Sequence, residues 1–269
     1  MDFQEDLDFA LHLADLADQI SLDRFYSLDL HVETKPDKTP VTDADRSVEA
    51  ALKAELLKLR PNDSLIGEEY GSTGDNLHGA GSRTWIIDPI DGTANFMRGV
   101  PVWATLIALA VDGKPVVGVV SAPAMGRRWW AAPGIGAHTK HIDGRIVPIQ
   151  VSKIAELEHA SLSYNSLKLW DEINMLDELM QLTRKVWRTR AYGDFWAYML
   201  LAEGALEITT EHNLAIYDIA ALVPIVEQSG GQITDINGAL TTSSSSVLAT
   251  NGVIHSTVSE ILNHPNIRN

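Results

Sequence analysis

The sequence predicts an α+β fold of layered helices and strands, and three observations predict it. Residues 3–26 carry apolar side chains at helical spacing. Residues 103–125 read as two apolar strands around an Asp-Gly turn. From about residue 150 onward, short strands mix with helical stretches. Helical and strand periods sharing one chain indicate α+β or layered αβ architecture.

The elements follow in order. Phe3, Leu7, Ala10, Leu11, Ala14, Ala17 and Phe25 form one stripe of an amphipathic helix. The segment "HVETKPDKTPVTDAD" (31–45) holds two prolines and reads as a loop. A second helix is expected from Asp43 to Leu59, with Thr42 or Asp43 as its cap and "RPND" as its stop. "SLIGEEY" reads as a short strand, "GSTGDNLHGAGS" as a Gly-rich loop and "RTWIID" as a strand; "GTANFMRG" reads as a short helix. Asp112-Gly113 suits the tight turn of a hairpin, and "RRWWAAPGIGAHT" continues the meander. Helices are expected near 170–185, 193–204 and 215–229, with "GALEITTE" as a strand between the last two. The change of style near residue 150 predicts N-terminal (about 1–150) and C-terminal (about 151–269) subdomains of a single domain, without a flexible joint.

Bulk composition narrows the function. With 269 residues and 45% hydrophobic content the chain can bury a sizeable core. A net charge of −15 speaks against a diffuse nucleic-acid binder, which needs a basic face. The absence of cysteine excludes disulfides, thiolate metal sites and a cysteine nucleophile. The acidic start lacks the basic region of a signal peptide. The longest apolar stretch, 100–111, is too short to span a bilayer. A soluble cytoplasmic protein is expected.

The chemistry concentrates in "WIIDPIDGTANF" (85–96). Asp88 ends an apolar strand, Pro89 fixes φ, and Gly92 permits a turn, so Asp88 and Asp91 can face one space beside the Ile90 carbonyl. Two bare carboxylates so placed repel, and one takes up a proton. A hard divalent cation removes the conflict, because Mg²⁺ prefers carboxylate, carbonyl and water oxygens. Read alone, the pair is a helix cap plus a solvated charge. Three further acidic sites stand at element ends: Glu68 and Glu69 in "LIGEEY", Asp43 and Asp45 in "VTDAD", and Asp218 in "IYDIAALVPIVEQSGG".

In order and approximate spacing, these four stretches resemble the motifs of the inositol monophosphatase superfamily of Mg²⁺-dependent, lithium-sensitive phosphatases. The resemblance runs from about residue 35 to 231. Tyr217 stands where Trp is commoner, and Leu222 where a small residue is usual. The resemblance implies a layered αβαβα sandwich of the inositol monophosphatase / fructose-1,6-bisphosphatase type, often dimeric. By similarity, Glu68, Asp88 and the Ile90 carbonyl hold a first metal. Asp88, Asp91 and Asp218 hold a second, with Asp88 bridging; the resemblance implies two or three ions in all, the third a weaker one near Glu68. Mg²⁺ is the expected ion, with Mn²⁺ as an alternative. Thr93, hydrogen-bonded to Asp45, orients and helps deprotonate the attacking water. Gly92 and Thr93 lie at a helix N-terminus, where N–H groups favour the phosphate. Glu69 is read as a neighbour.

The ester is read from the second half. "YGDFWAYMLLAEGALEI" followed by "YDIAALVPIVE" is most similar to the histidinol-phosphatase members. Asp194 and Glu211 would pair with a cationic leaving group such as L-histidinol through charge-assisted hydrogen bonds. Asp194 also suits a helix cap. Inositol monophosphate and other sugar or polyol phosphates are the alternative substrates. A regulatory or RNA-associated module and a purely structural metal protein are the alternative classes. The net charge and the metal set oppose the first, and Thr93 with Asp45 opposes the second. His12, His31, His78, His138, His141, His159, His212, His255 and His264 show no metal-ligand spacing and read as surface or structural, with His212 next to Glu211. "RRWW" (127–130) reads as a strand with buried aromatics alternating with exposed arginines. Lys35 and Lys38 read either as flanking the site or as solvated.

Overall fold

The computed structural model describes residues 2–36, 39–73 and 81–263. Lys38, His78, His264 and most of the predicted Gly-rich loop lie outside the described residues. The fold is α+β and layered, with mixed sheets flanked by helices. The chain divides into two compact units, Met1–Pro148 with Tyr217–Ile225, and Ile149–Ile216 with Val226–Asn269.

The first unit opens with α1 (Gln4–Phe25), then the short antiparallel pair β1 (Val32–Thr34) and β2 (Pro40–Thr42). This ladder lies where the sequence predicts a plain loop; each strand has only three residues, too few for periodicity to show. Helix α2 (Asp43–Leu59) starts at a capping box. Thr42 Oγ1 accepts the Ala44 and Asp45 N–H groups, and Asp45 Oδ2 accepts the Thr42 N–H at 2.7 Å. Thr42, not Asp43, is therefore the cap. Strands β3 (Ser64–Gly67), β4 (Gly71–Thr73) and β5 (Arg83–Asp91) follow, then the one-turn helix α3 (Thr93–Phe96). Next come β6 (Ala104–Val111), β7 (Lys114–Ala122), β8 (Arg127–Ala132), β9 (Gly136–Lys140) and β10 (Ile146–Pro148). Asp112 (φ 52°) and Gly113 (φ 77°) both adopt the left-handed conformation of a tight hairpin turn.

Strands β3 to β10 form one eight-stranded sheet in the order β10-β9-β8-β7-β6-β5-β3-β4, antiparallel except for β3 beside β5. On one face, Trp85, Ile87, Ile107, Leu109, Val117, Val119 and Trp130 pack with Leu7, Leu13, Leu52 and Leu56 from α1 and α2. The other face is buried too. A Cβ at Gly118 would meet the Ala221 carbonyl and the Pro224 ring, so residues 217–225 lie against β7 there. This double burial corrects the reading of "RRWW". Trp129 and Trp130 are both buried, and both arginines are partly buried. Arg128 pairs with Asp15 and Asp18, and Arg127 lies over the Trp129 ring.

The second unit carries β11 (Ser161–Tyr164), α4 (Leu167–Glu172), α5 (Leu176–Thr183), β12 (Arg188–Thr189), α6 (Asp194–Ala202) and β13 (Ile208–His212). The chain then returns to the first unit for most of α7 (Ile216–Ile219) and α8 (Leu222–Gln228), and the second unit resumes with β14 (Gln232–Thr234), β15 (Ser246–Thr250) and α9 (His255–Leu262). Its sheet runs β12-β11-β13-β15-β14. Trp170, Leu179, Leu182, Val258 and Leu262 pack with Leu162, Ile208 and Leu248 as its core. Two expected helices are each broken in two. Asn174 (φ 57°) separates α4 from α5, and a turn at Ala220 and Ala221 separates α7 from α8.

Candidate active site

Strand β5 delivers the first carboxylate. Asp88 pairs in register with Leu106, and the register shifts between Asp88 and Asp91 as the chain passes Pro89. Such an irregularity bends a strand and re-aims its side chains. Asp88 is 2% exposed, and its Oδ1 accepts the Ile90 N–H at 2.9 Å. The Pro89 carbonyl accepts the Thr105 hydroxyl at 2.9 Å, which ties the bend to β6. Gly92 (φ 85°) then turns the chain in a conformation that a side chain would resist. Because α3 is a single turn, its dipole is small, so the phosphate site expected there would rest on individual N–H groups rather than on a long helix.

Asp218, on α7, enters from the distant segment that lies against β7. Asp88, Asp91 and Asp218 each offer an oxygen, and the three oxygens lie within 4.8 Å of one another. The carboxyl of Asp88 is held well above its ordinary pKa, first by burial and then by Glu68, Asp91, Asp218 and Asp45. Burial pushes Glu68 to about 7; Lys35 opposes this, and Glu69 and Asp218 add to it. Converging hard oxygen donors that strain against their own charge fit a divalent cation of the Mg²⁺ type.

Glu68 is not one of those three. Its Oε1 is engaged by the Lys35 ammonium at 2.7 Å, and the same ammonium meets Glu69 Oε1 at 2.5 Å. Burial alone would lower the Lys35 pKa, but its bonds to Glu68 and Glu69 raise it overall. Lys35 therefore flanks the site and is not a solvated loop residue. The Ile90 carbonyl, the predicted partner of Glu68 at a first metal, lies 2.9 Å from Thr93 Oγ1. That hydroxyl is also 3.0 Å from Asp45 Oδ1, so one proton serves two acceptors. Asp45 is fully buried, and burial raises its pKa against the hydrogen bonds from Thr42 and Thr93. Its other oxygen closes the α2 capping box.

The sequence left unread the role of Glu49 and the nearness of Tyr217 to the acidic cluster. Glu49 is completely buried and accepts the Glu69 and Tyr70 N–H groups. The half-buried Tyr217 has its phenol pKa raised by burial and by the negative charge of Glu68, Asp218 and Asp88. The signal for Glu49 was its place in the buried stripe of α2, with Asp45, Leu52 and Leu56.

In the second unit, Asp194 is the first residue of α6 and Gly193 holds the cap position. Asp194 adopts φ 50°, and burial raises its carboxyl pKa. Glu211 is 3% exposed on β13 and accepts the Tyr198 hydroxyl at 3.0 Å. His212 packs edge-on against Trp170 with ring centroids 4.3 Å apart. Burial drives its pKa to about 4, so it stays neutral and structural.

Residues 2–265 match the model of the inositol monophosphatase family. The chain is 48% identical over 266 residues to a histidinol-phosphatase of Streptomyces coelicolor, covering 97% of this chain and 98% of that one. It is 49% identical over 259 residues to a histidinol-phosphatase of Mycobacterium tuberculosis, covering 96% and 98%. A solved structure of an inositol monophosphatase from Zymomonas mobilis superposes with a TM-score of 0.83 at 32% identity, covering 97% of this chain and 99% of that one.

Proposed function

The chain belongs to the inositol monophosphatase family, and on that basis we propose that it hydrolyses L-histidinol phosphate to L-histidinol and phosphate with the help of Mg²⁺. Its class is that of phosphoric monoester hydrolases. The observation that carries the substrate is identity near one half, over almost the full length, to two histidinol-phosphatases. The convergence of Asp88, Asp91 and Asp218 supports the metal.

In this reading Asp88, Asp91 and Asp218 would hold one ion, and Glu68, Asp88 and the Ile90 carbonyl would hold another. Bound there, the ions lower the pKa of water and neutralise charge on the phosphoryl oxygens. The remaining work belongs to side chains. Thr93 donates its proton to Asp45 Oδ1, which frees its oxygen to accept from the attacking water. As water attacks phosphorus, the P–O bond to the alcohol breaks; the water proton would pass to Thr93 Oγ1 and the threonine proton to Asp45, and the departing alkoxide takes a proton from solvent water to give L-histidinol. Burial makes Asp45 a better base than a solvated aspartate. Gly92 and Thr93 offer N–H groups to the phosphate, and the family resemblance assigns Asp194 and Glu211 to the ammonium and imidazole of the leaving group. The family resemblance adds a cytoplasmic homodimer inhibited by lithium. Among the described residues, no helix is long and apolar enough to cross a membrane.

The test is phosphate release with Mg²⁺ from L-histidinol phosphate and inositol 1-phosphate side by side, with EDTA as control. The expected result is a kcat/KM preference of at least about 100-fold for histidinol phosphate, the scale of two lost charge-assisted hydrogen bonds. Equal rates would discard the substrate and keep the metal chemistry.

A further inference from the structure

Strand β3 turns into β4 through Glu68, Glu69 and Tyr70, and Gly71 follows at φ 68°. A loop of this length leaves backbone N–H groups without ladder partners. Glu49 Oε2 accepts the Glu69 N–H at 2.7 Å, and Glu49 Oε1 accepts the Tyr70 N–H at 2.9 Å. The carboxylate comes from the core face of α2 and is 0% exposed. Gly67 makes room for it, because a Cβ there would overlap the Glu49 carboxylate.

We propose that Glu49 is a positioning residue that sets the Glu68 carboxylate for the metal by clamping the two N–H groups after it, and that Gly67 is glycine to admit this clamp. The inference rests on the reading of Glu68 as a metal ligand. A buried carboxylate is a costly way to satisfy two N–H groups unless the turn must hold one geometry. Only a group with two acceptor oxygens serves both. Glutamine presents one oxygen and turns its NH₂ toward the second N–H. Aspartate is one methylene too short.

The test uses the full chain and reads metal binding directly, by calorimetric titration with Mn²⁺ in the absence of substrate. Glu49→Gln is expected to weaken binding at least about 10-fold while the circular dichroism spectrum stays native. It should also raise the metal concentration for half-maximal activity, with kcat near normal at saturation, a split that general destabilisation does not produce. Gly67→Ala should give the same phenotype by displacing an intact carboxylate. Glu68→Gln is run in parallel. If Glu68→Gln loses affinity and both Glu49→Gln and Gly67→Ala bind like the parent, the clamp is refuted and the metal reading stands. If Glu68→Gln itself binds normally, the metal reading fails and the proposal falls with it. Should Glu49→Gln not fold, Gly67→Ala and amide exchange in the parent decide. Slow exchange at Glu69 and Tyr70 supports the clamp, and exchange at the rate of open loops overturns it.

Discussion

Glu68 illustrates how a single residue registers the site. Its folded pKa of about 7 lies above its ordinary 4.5. Between those values the folded, metal-free chain holds a proton that the unfolded chain has released. Stability therefore falls as pH rises through the window. Burial raises Asp88 and Asp45 in the same direction. In EDTA, melting temperature should drop by several degrees between about pH 4.5 and 7, the window set by Glu68, and Mg²⁺ should remove the slope. A flat profile in EDTA would contradict the charge frustration argued here. Asp194 carries a second expectation. Asp194→Ala should lower kcat/KM for histidinol phosphate at least about 10-fold more than for a neutral polyol phosphate, the order of one charge-assisted hydrogen bond. Equal losses on both substrates would make Asp194 a helix-start residue only.

Elements decide where those residues meet. Strand β5 and its bend were legible because an apolar run, a proline and a glycine stand in fixed order. Helix α2 was legible to its ends because Thr42 or Asp43 offered a cap and "RPND" a stop; that Thr42 and Asp45 close a capping box was left to the fold. The Glu49 clamp was not legible. Its partners are twenty and twenty-one residues away, and no periodicity encodes a pairing at that distance. The strand pair β1 and β2, and the breaks at Asn174 and at Ala220 and Ala221, were hidden for another reason. A few residues of local geometry leave the apolar spacing on either side unchanged. Residues 217–225 depend on a close approach to β7 at Gly118. Gly118→Val should push that segment off the sheet, destabilise the protein by about 1–3 kcal/mol in thermal denaturation, and weaken metal binding through Asp218. Unchanged stability would show that the sheet face accepts a side chain there.

At the scale of the molecule, the site gathers residues from positions 45, 68, 88–93 and 218 of a chain that leaves its first unit at Pro148 and returns at Tyr217. The order of the four acidic motifs brought Asp88, Asp91 and Asp218 forward together, and the fold places an oxygen of each within 4.8 Å of the others. The motif order did not reveal that Glu68 would be engaged by Lys35, since that contact depends on where the β1–β2 segment is placed. A chain of net charge −15 that concentrates buried carboxylates at one point needs a cation to receive an anionic ester. The most direct measurement is anomalous scattering from crystals grown with Mn²⁺ and phosphate, with Asp88→Asn as control. The account predicts a strong peak bound by Asp88, Asp91 and Asp218 that disappears in the variant. No peak there at saturating Mn²⁺, or a peak that survives the loss of Asp88, would contradict it.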